Sequence, residues 1–250
     1  MPHERELAYH EKLYSGFAQA HFAKPGIRAL RRDIVKRVLR LTGAGAHSRV
    51  LSLGCGIGDT ELALAPHVGE VLGVDLSPKA IEQARADARQ LGIQNARFEV
   101  SEPGWHGISP GAFDVVIAVF LLHHLPDPDL ERLPAQVREW LTPGGVFYSL
   151  DPSSSRLTGV VGRLLIPGLM KRYESPDERE LNPAETAALF EQAGFQTRQE
   201  MYDFGSVPFA GLFPGWETGF NAVRAMDDFI LCIGALRRLA SDFEVIATIP

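Results

Sequence analysis

Residues 50–61, VLSLGCGIGDTE, place three glycines in five positions directly after an apolar run. Glycine costs conformational entropy on folding; what it supplies is positive φ and an unobstructed backbone. A chain that spends Gly54, Gly56 and Gly58 between a strand-like run and a helix-compatible one lets something approach its main chain closely. Such a turn presents backbone N–H groups to a ligand. The next apolar run, EVLGVDLS, ends in Asp75, and an acid there can hold the two hydroxyls of a ribose. Together they predict a ligand containing a nucleoside. Dinucleotide loops favour G-x-G-x-x-G with a small third residue. Here the spacing is G-x-G-x-G, Asp59 occupies the small position, and Asp59 and Glu61 set like charge where a pyrophosphate would lie. The expected ligand is a nucleoside without phosphates.

The surrounding pattern predicts the frame that holds this loop. RVLSLG, EVLGVDLS, ARFEV, AFDVVIAVF, VFYSLD, FQTRQEMYDF and FEVIATI read as seven strands. TELALAPHV, KAIEQARADARQL, a helix over about 127–141 kinked at Pro134, and NPAETAALFEQAG alternate with them. Ser77–Pro78 and Asn182–Pro183 supply N-cap and first-turn residues, and Gly194 a stop. Alternating strands and helices mean βαβ units, hence an α/β, Rossmann-like, doubly wound, mostly parallel seven-stranded sheet. Residues 4–41 read as two helices broken at Pro25–Gly26, an N-terminal helical lid over 1–44. The main domain runs from 45 to 250, with irregular cap elements at about 153–181 and 205–242. Both follow the carboxyl ends of strands, where open α/β sheets bind ligands.

Charge and cysteine content narrow the partners. A net charge of -6 argues against nucleic acid as a partner. No apolar run approaches the ~20 residues of a membrane span, and the charged N-terminus is no signal peptide. Cys55 and Cys232 are the only cysteines, which suits a reducing cytosol and a cytoplasmic protein. No His/Cys cluster has metal-ligand spacing, so no metal site is expected. On the second helix, Arg28, Arg31, Arg32, Lys36, Arg37 and Arg40 read as a solvated outer face. The alternative is peripheral contact with an anionic surface.

At this point the chain resembles a family. VLSLGCGIGDTELAL is similar to the first motif of class I S-adenosylmethionine-dependent methyltransferases, and GVDLS resembles their second. FDVVIAVFLLHHLPD and LTPGGVFYSLDP are similar to later motifs, in the same order. The resemblance covers residues 45–152 well and LNPAETAALFEQAGF more loosely, in the style of ubiquinone and menaquinone methyltransferases. It implies S-adenosylmethionine as cofactor and S-adenosylhomocysteine as product. Gly54, Cys55, Gly56 and Gly58 would border the methionine part and the ribose. Asp75 would hold the ribose hydroxyls, with Leu76 on the adenine and Ser101 and Glu102 near its amino group. Val119 and Phe120 would flank the methionine amine and the sulfonium. Two positions depart from the pattern: Ser52 stands where relatives carry an acid, and Pro103 offers no N–H to the adenine ring.

Methyl transfer from a sulfonium is an in-line displacement, so the protein's tasks are alignment, desolvation and, for an oxygen acceptor, proton removal. The candidate catalytic residues are His123, on the loop after the fourth strand, with His124 beside it, and Asp151, at the end of the fifth. Their alternative roles are loop orientation and turn capping. Phe209, Leu212, Phe213 and Trp216, the apolar stretch 157–170 around Arg163, and Tyr9, Tyr14, Phe17 and Phe22 suggest a small, hydrophobic acceptor methylated at oxygen or carbon. The competing readings are a cofactor-binding protein without turnover and an NAD-dependent oxidoreductase.

Overall fold

A computed structural model describes residues 21–102, 104–157 and 179–250. Seven strands form one sheet in the order β3-β2-β1-β4-β5-β7-β6. The strands are β1 (Arg49–Leu53), β2 (Glu70–Asp75), β3 (Ala96–Val100), β4 (Phe113–Val119), β5 (Leu141–Pro152), β6 (Gln196–Asp203) and β7 (Asp242–Thr248). The first five are parallel, and β7 runs antiparallel between β5 and β6. The chain winds from β1 outward through β2 to β3, then returns to β4 on the other side of β1. That reversal puts the switch point between β1 and β4, where parallel sheets open a crevice at their carboxyl ends.

Alternation along the central strands builds two cores. Leu51, Leu53, Val116, Ala118 and Phe147 face a helix layer made by α4 (Asp127–Trp140) and α5 (Pro183–Gln192), through Leu133, Val137 and Phe190. Val50, Val115, Ile117, Tyr148 and Leu150 face the opposite layer, α1 (Pro25–Thr42), α6 (Ser206–Leu212) and α7 (Glu217–Leu231), through Ile34, Val38, Ala210 and Phe220. A smaller cluster seats α3 (Pro78–Leu91) against Phe98 and Cys55. The short α2 (Asp59–Leu64) follows the glycine loop, and α8 (Gly234–Arg237) precedes β7. Ser77 Oγ accepts from the Ala80 amide at 3.2 Å, and Asn182 Oδ1 from Ala184 and Glu185 at 2.9 and 3.3 Å. These are the caps that the sequence signals imply.

Several expectations need correction. The stretch from 205, expected as loop, is helical over 206–212, because Phe209 and Ala210 turn one face toward α1 and α7. Further along the cap expected as irregular, a helix runs from Glu217 to Leu231 and is separated from α8 by Cys232 and Ile233. The fifth strand, expected from VFYSLD, begins earlier: β5 starts at Leu141, which pairs with Phe113 before a register shift. The helix expected over about 127–141 is found from Asp127 to Trp140, with Pro134 inside it. The basic stretch of α1 is not a uniform solvated face. Arg31 pairs with Asp59 at 2.6 Å, Arg32 with Glu217, and Arg37 with the fully buried Glu244, which also accepts from Tyr148 Oη at 2.7 Å. Residues 1–20 of the expected lid, with Tyr9, Tyr14 and Phe17, and most of the 153–181 cap lie outside the described residues, as does Pro103.

The edge formed by β6 and β7 carries an unusual charge arrangement with a consequence for stability. Asp203 and Asp242 are register partners, both buried. Burial pushes both carboxyls up; the charge of Asp242 raises Asp203 further, while Asp242 itself reaches about 6 against the pull of its contact with Asp203 and of Arg156, with Asp151 and Asp227 adding to its rise. Two such groups keep a proton that the unfolded chain, titrating near its ordinary value of about 3.9, gives up. Folded pKa values above unfolded ones make stability greatest at low pH and lose it as pH climbs through the folded values. Thermal unfolding of Asp242→Asn is therefore expected to show a flatter decline between pH 4 and 7 than the unsubstituted protein, with a gain on the order of 2 kcal/mol at pH 7 and above. Parallel melting curves for the two proteins across that range would contradict it.

Candidate active site

The carboxyl ends of all five parallel strands bring the sequence-selected residues to one rim. After β1, Gly54, Gly56 and Gly58 have φ of 63°, 53° and 76°, the left-handed region that side chains rarely adopt. Two of them also lack room. A Cβ on Gly54 would meet Leu121 at 2.6 Å, and one on Gly58 would meet Phe98 at 2.7 Å. The glycines therefore serve packing as well as backbone exposure. Cys55 is buried, its amide donating to the Val74 carbonyl at 3.1 Å, and burial pushes its thiol well up. It is a small core residue.

Asp75 braces this loop. One carboxylate oxygen accepts from the Gly56 amide at 2.9 Å and the other from the Ser77 amide at 2.8 Å. The side chain is half-buried, so it holds the loop's shape while staying at the crevice. This bracing role had no sequence signal beyond the acid's position. Leu76 is half-buried beside it. From the end of β3, Ser101 donates its amide to the Asp75 carbonyl at 2.9 Å. Its hydroxyl is buried without a hydrogen-bond partner, whereas Glu102 is exposed. From β4, Val119 and Phe120 are half-buried, and Phe120 has φ of 55°, a conformation that costs a bulky residue about 1–3 kcal/mol. Its amide donates to the Leu150 carbonyl at 2.8 Å, locking the chain where it turns out of the sheet.

His123 and Asp151 meet. His123 lies in a single 3₁₀ turn, Leu122–His124, directly after the rim of β4. Its Nδ1 is 2.9 Å from Asp151 Oδ1, and its backbone amide donates to the same oxygen at 3.2 Å. Both residues are buried. Burial pushes the Asp151 carboxyl well up, against the pull of the backbone amides of Leu121, Leu122 and His123. The pair thus joins the loop after β4 to the end of β5 through one side-chain contact and one backbone hydrogen bond. His124 packs against His123 with ring centroids 4.0 Å apart. Arg179 was not foreseen. Its amide donates to the His123 carbonyl at 3.2 Å, its guanidinium donates to the Leu125 carbonyl at 3.1 Å, and it pairs with Asp127.

The charge expected around the loop is also rearranged. Asp59 is bonded to Arg31, and Glu61 is buried with Ser52 Oγ donating to its Oε1 at 2.6 Å. The like-charge argument against a pyrophosphate is weaker than the bare sequence implied, and the loop's spacing carries that distinction instead. Among the described residues no group of three His, Cys, Asp or Glu side chains could hold a metal ion. None of their helices is long and apolar enough to cross a membrane.

A methyltransferase domain model matches residues 50–145. A ubiquinone biosynthesis O-methyltransferase from Thiobacillus denitrificans is 35% identical over 62% of this chain and 67% of that protein. The chain is a class I S-adenosylmethionine-dependent methyltransferase. A ubiquinone biosynthesis O-methyltransferase from Xanthomonas euvesicatoria is 30% identical over 78% of this chain and 81% of its own length. In solved structures, a SAM-dependent methyltransferase from Archaeoglobus fulgidus shares the fold with a TM-score of 0.64, covering 94% of this chain and 100% of that one at 16% identity. The methyltransferase reading therefore prevails over the dehydrogenase and the binder without turnover. The orphaned Ser101 hydroxyl and the glycine cradle fit a nucleoside cofactor that brings its own hydrogen-bonding groups.

Proposed function

We propose that this methyltransferase binds S-adenosylmethionine across the β1–β4 rim and methylates a hydroxyl of a small, apolar acceptor. The observation that carries the reading is the convergence of two built features on one rim: the Asp75-braced glycine loop and the His123–Asp151 pair. In this reading Gly54, Cys55, Gly56 and Gly58 border the methionine and ribose, and Asp75 accepts from the ribose hydroxyls while keeping its hold on Gly56. Leu76 packs on the adenine, with Ser101 and Glu102 near its amino group. Val119 and Phe120 flank the methionine end. The cofactor supplies a methyl group activated by its sulfonium; the chain supplies alignment and a place for the acceptor's proton.

A phenolic acceptor titrates near pH 10, so at neutral pH its oxygen is a better nucleophile if a base takes the proton during transfer. With Nδ1 engaged by Asp151, the basic nitrogen of His123 is Nε2. An O-acceptor is favoured because the similar proteins carry that activity in their names. An apolar one is favoured by Phe209, on α6, and by Phe213 and Trp216, in the link between α6 and α7; their ring centroids lie 5.0–6.5 Å apart, and Phe213 and Trp216 are about half exposed.

Calorimetric titration with S-adenosylhomocysteine, with NAD as control, tests the cofactor part. Micromolar binding of the first and none of the second is expected. Binding of NAD alone, or of neither by ligand-free protein, would overturn it. Apolar phenols are the acceptors to screen next.

A further inference from the structure

Glu61 is an unusual residue to find where it is. It lies in the first turn of α2, three residues after the last glycine of the loop, and is 2% exposed. Ser52 Oγ, from the next-to-last residue of β1, donates to its Oε1 at 2.6 Å, while its Oε2 is buried with no hydrogen-bond partner. Buried polar atoms are almost always satisfied, so an orphaned carboxylate oxygen calls for a missing partner. Its neighbours do not supply one. Asp59 is already bonded to Arg31, whose charge acts only weakly on Glu61. Glu61's charge is felt instead by Cys55, inside the glycine loop. A carboxyl group thus sits against the loop, held on one oxygen and unpaired on the other.

We propose that Glu61, held in place by Ser52, is the counter-charge for the ammonium at the amino-acid end of the cofactor. This rests on the cofactor reading above and adds a named residue and a charge to it. The free group is pushed up to about 7 by burial, so at neutral pH it is partly protonated and its burial is tolerable. An arriving ammonium favours the ionised form and expels that proton. Binding and proton release are then linked, and the site discriminates between ligands with and without the amino-acid group.

The test uses the full chain and two ligands. S-Adenosylhomocysteine carries the ammonium; 5′-methylthioadenosine has the same nucleoside and thioether without it. Glu61→Gln preserves shape and can still accept from Ser52, so folding should be retained, which circular dichroism and melting would check. Its affinity for S-adenosylhomocysteine is expected to fall about tenfold or more, as for loss of a charge-assisted bond, with that for methylthioadenosine unchanged. Titrations at pH 7 in two buffers of different ionisation enthalpy should show the unsubstituted protein releasing roughly half a proton on binding the first ligand and none on binding the second. The double substitution Ser52→Asp with Glu61→Ser, which returns a carboxylate from the strand side, should restore the lost affinity. If Glu61→Gln weakens both ligands equally or neither, the inference is wrong while the cofactor reading stands. If the unsubstituted protein binds neither ligand, both fall together.

Discussion

Asp75→Ala is expected to weaken S-adenosylhomocysteine binding by about 100-fold or more, the sum of two losses. One is the charge-assisted contact with the ribose hydroxyls proposed for this carboxylate, worth about 1.5–3 kcal/mol. The other is internal: the Gly56 amide, 2.9 Å from Asp75 in the intact protein, loses its acceptor and the loop loses one of its fixed points. The Ser77 amide loses its partner too, but Ser77 keeps its own cap on Ala80. Because Asp75 is only half-buried, the fold should tolerate the change, and melting should shift far less than affinity. Asp75→Asn separates the two losses. An amide oxygen can still accept from Gly56, while the NH2 group now faces the Ser77 amide, so that variant should keep the Gly56 anchor, lose the charge and the Ser77 contact, and land between the alanine variant and the intact protein. Calorimetry on all three gives the ranking. Equal affinities throughout would remove the ribose assignment, and with it the reason for the acid at the end of β2.

That prediction draws on a residue found from sequence but understood only from structure. The glycine spacing and Asp75 were legible because both obey short-range rules: φ sign, strand periodicity and the position of an acid after an apolar run. The sheet's parallel half followed from the same periodicity. What the sequence could not show was coupling over long separations. Arg37 and Glu244 are brought together by α1 packing on β7, and Arg31 meets Asp59 for a similar reason. A row of arginines reads as a solvated face until the partners on other elements are known. Ser52 is the sharper case. Read alone, it is an acid missing from the strand; in three dimensions Glu61, nine residues later, brings a carboxylate to within 2.6 Å of its hydroxyl. The aromatic stretch over 206–216 failed differently. Its glycines and prolines signal loop, yet burial of Ala210 and the packing of Phe209 are enough to wind it into α6.

His123→Ala should separate chemistry from cofactor binding. If Nε2 takes the acceptor's proton, turnover falls by about 10²–10⁴, the usual contribution of a positioned base, while affinity for S-adenosylhomocysteine changes less than about twofold. A residue that only held the rim together would disturb both. Asp151→Asn is the sharper probe, because it keeps an acceptor for Nδ1–H and removes the charge. In the intact protein the buried carboxyl is pushed well up, so the pair clings to its second proton and must lose it before His123 can act. Activity should therefore rise with pH through the apparent pKa of the pair. With asparagine the imidazole titrates alone in a buried site and loses its proton more readily. The acid limb of kcat/KM is then expected to move to lower pH, with a lower plateau because nothing now stabilises the imidazolium formed during transfer. The two effects have opposite consequences below neutrality, which is where they are easiest to tell apart. A plateau that drops while the limb stays in place would mean that Asp151 merely secures the turn after β4, through the His123 amide it also accepts. The acceptor would then have to reach the methyl group with its own proton already gone, as a carbanion or an acidic phenol would.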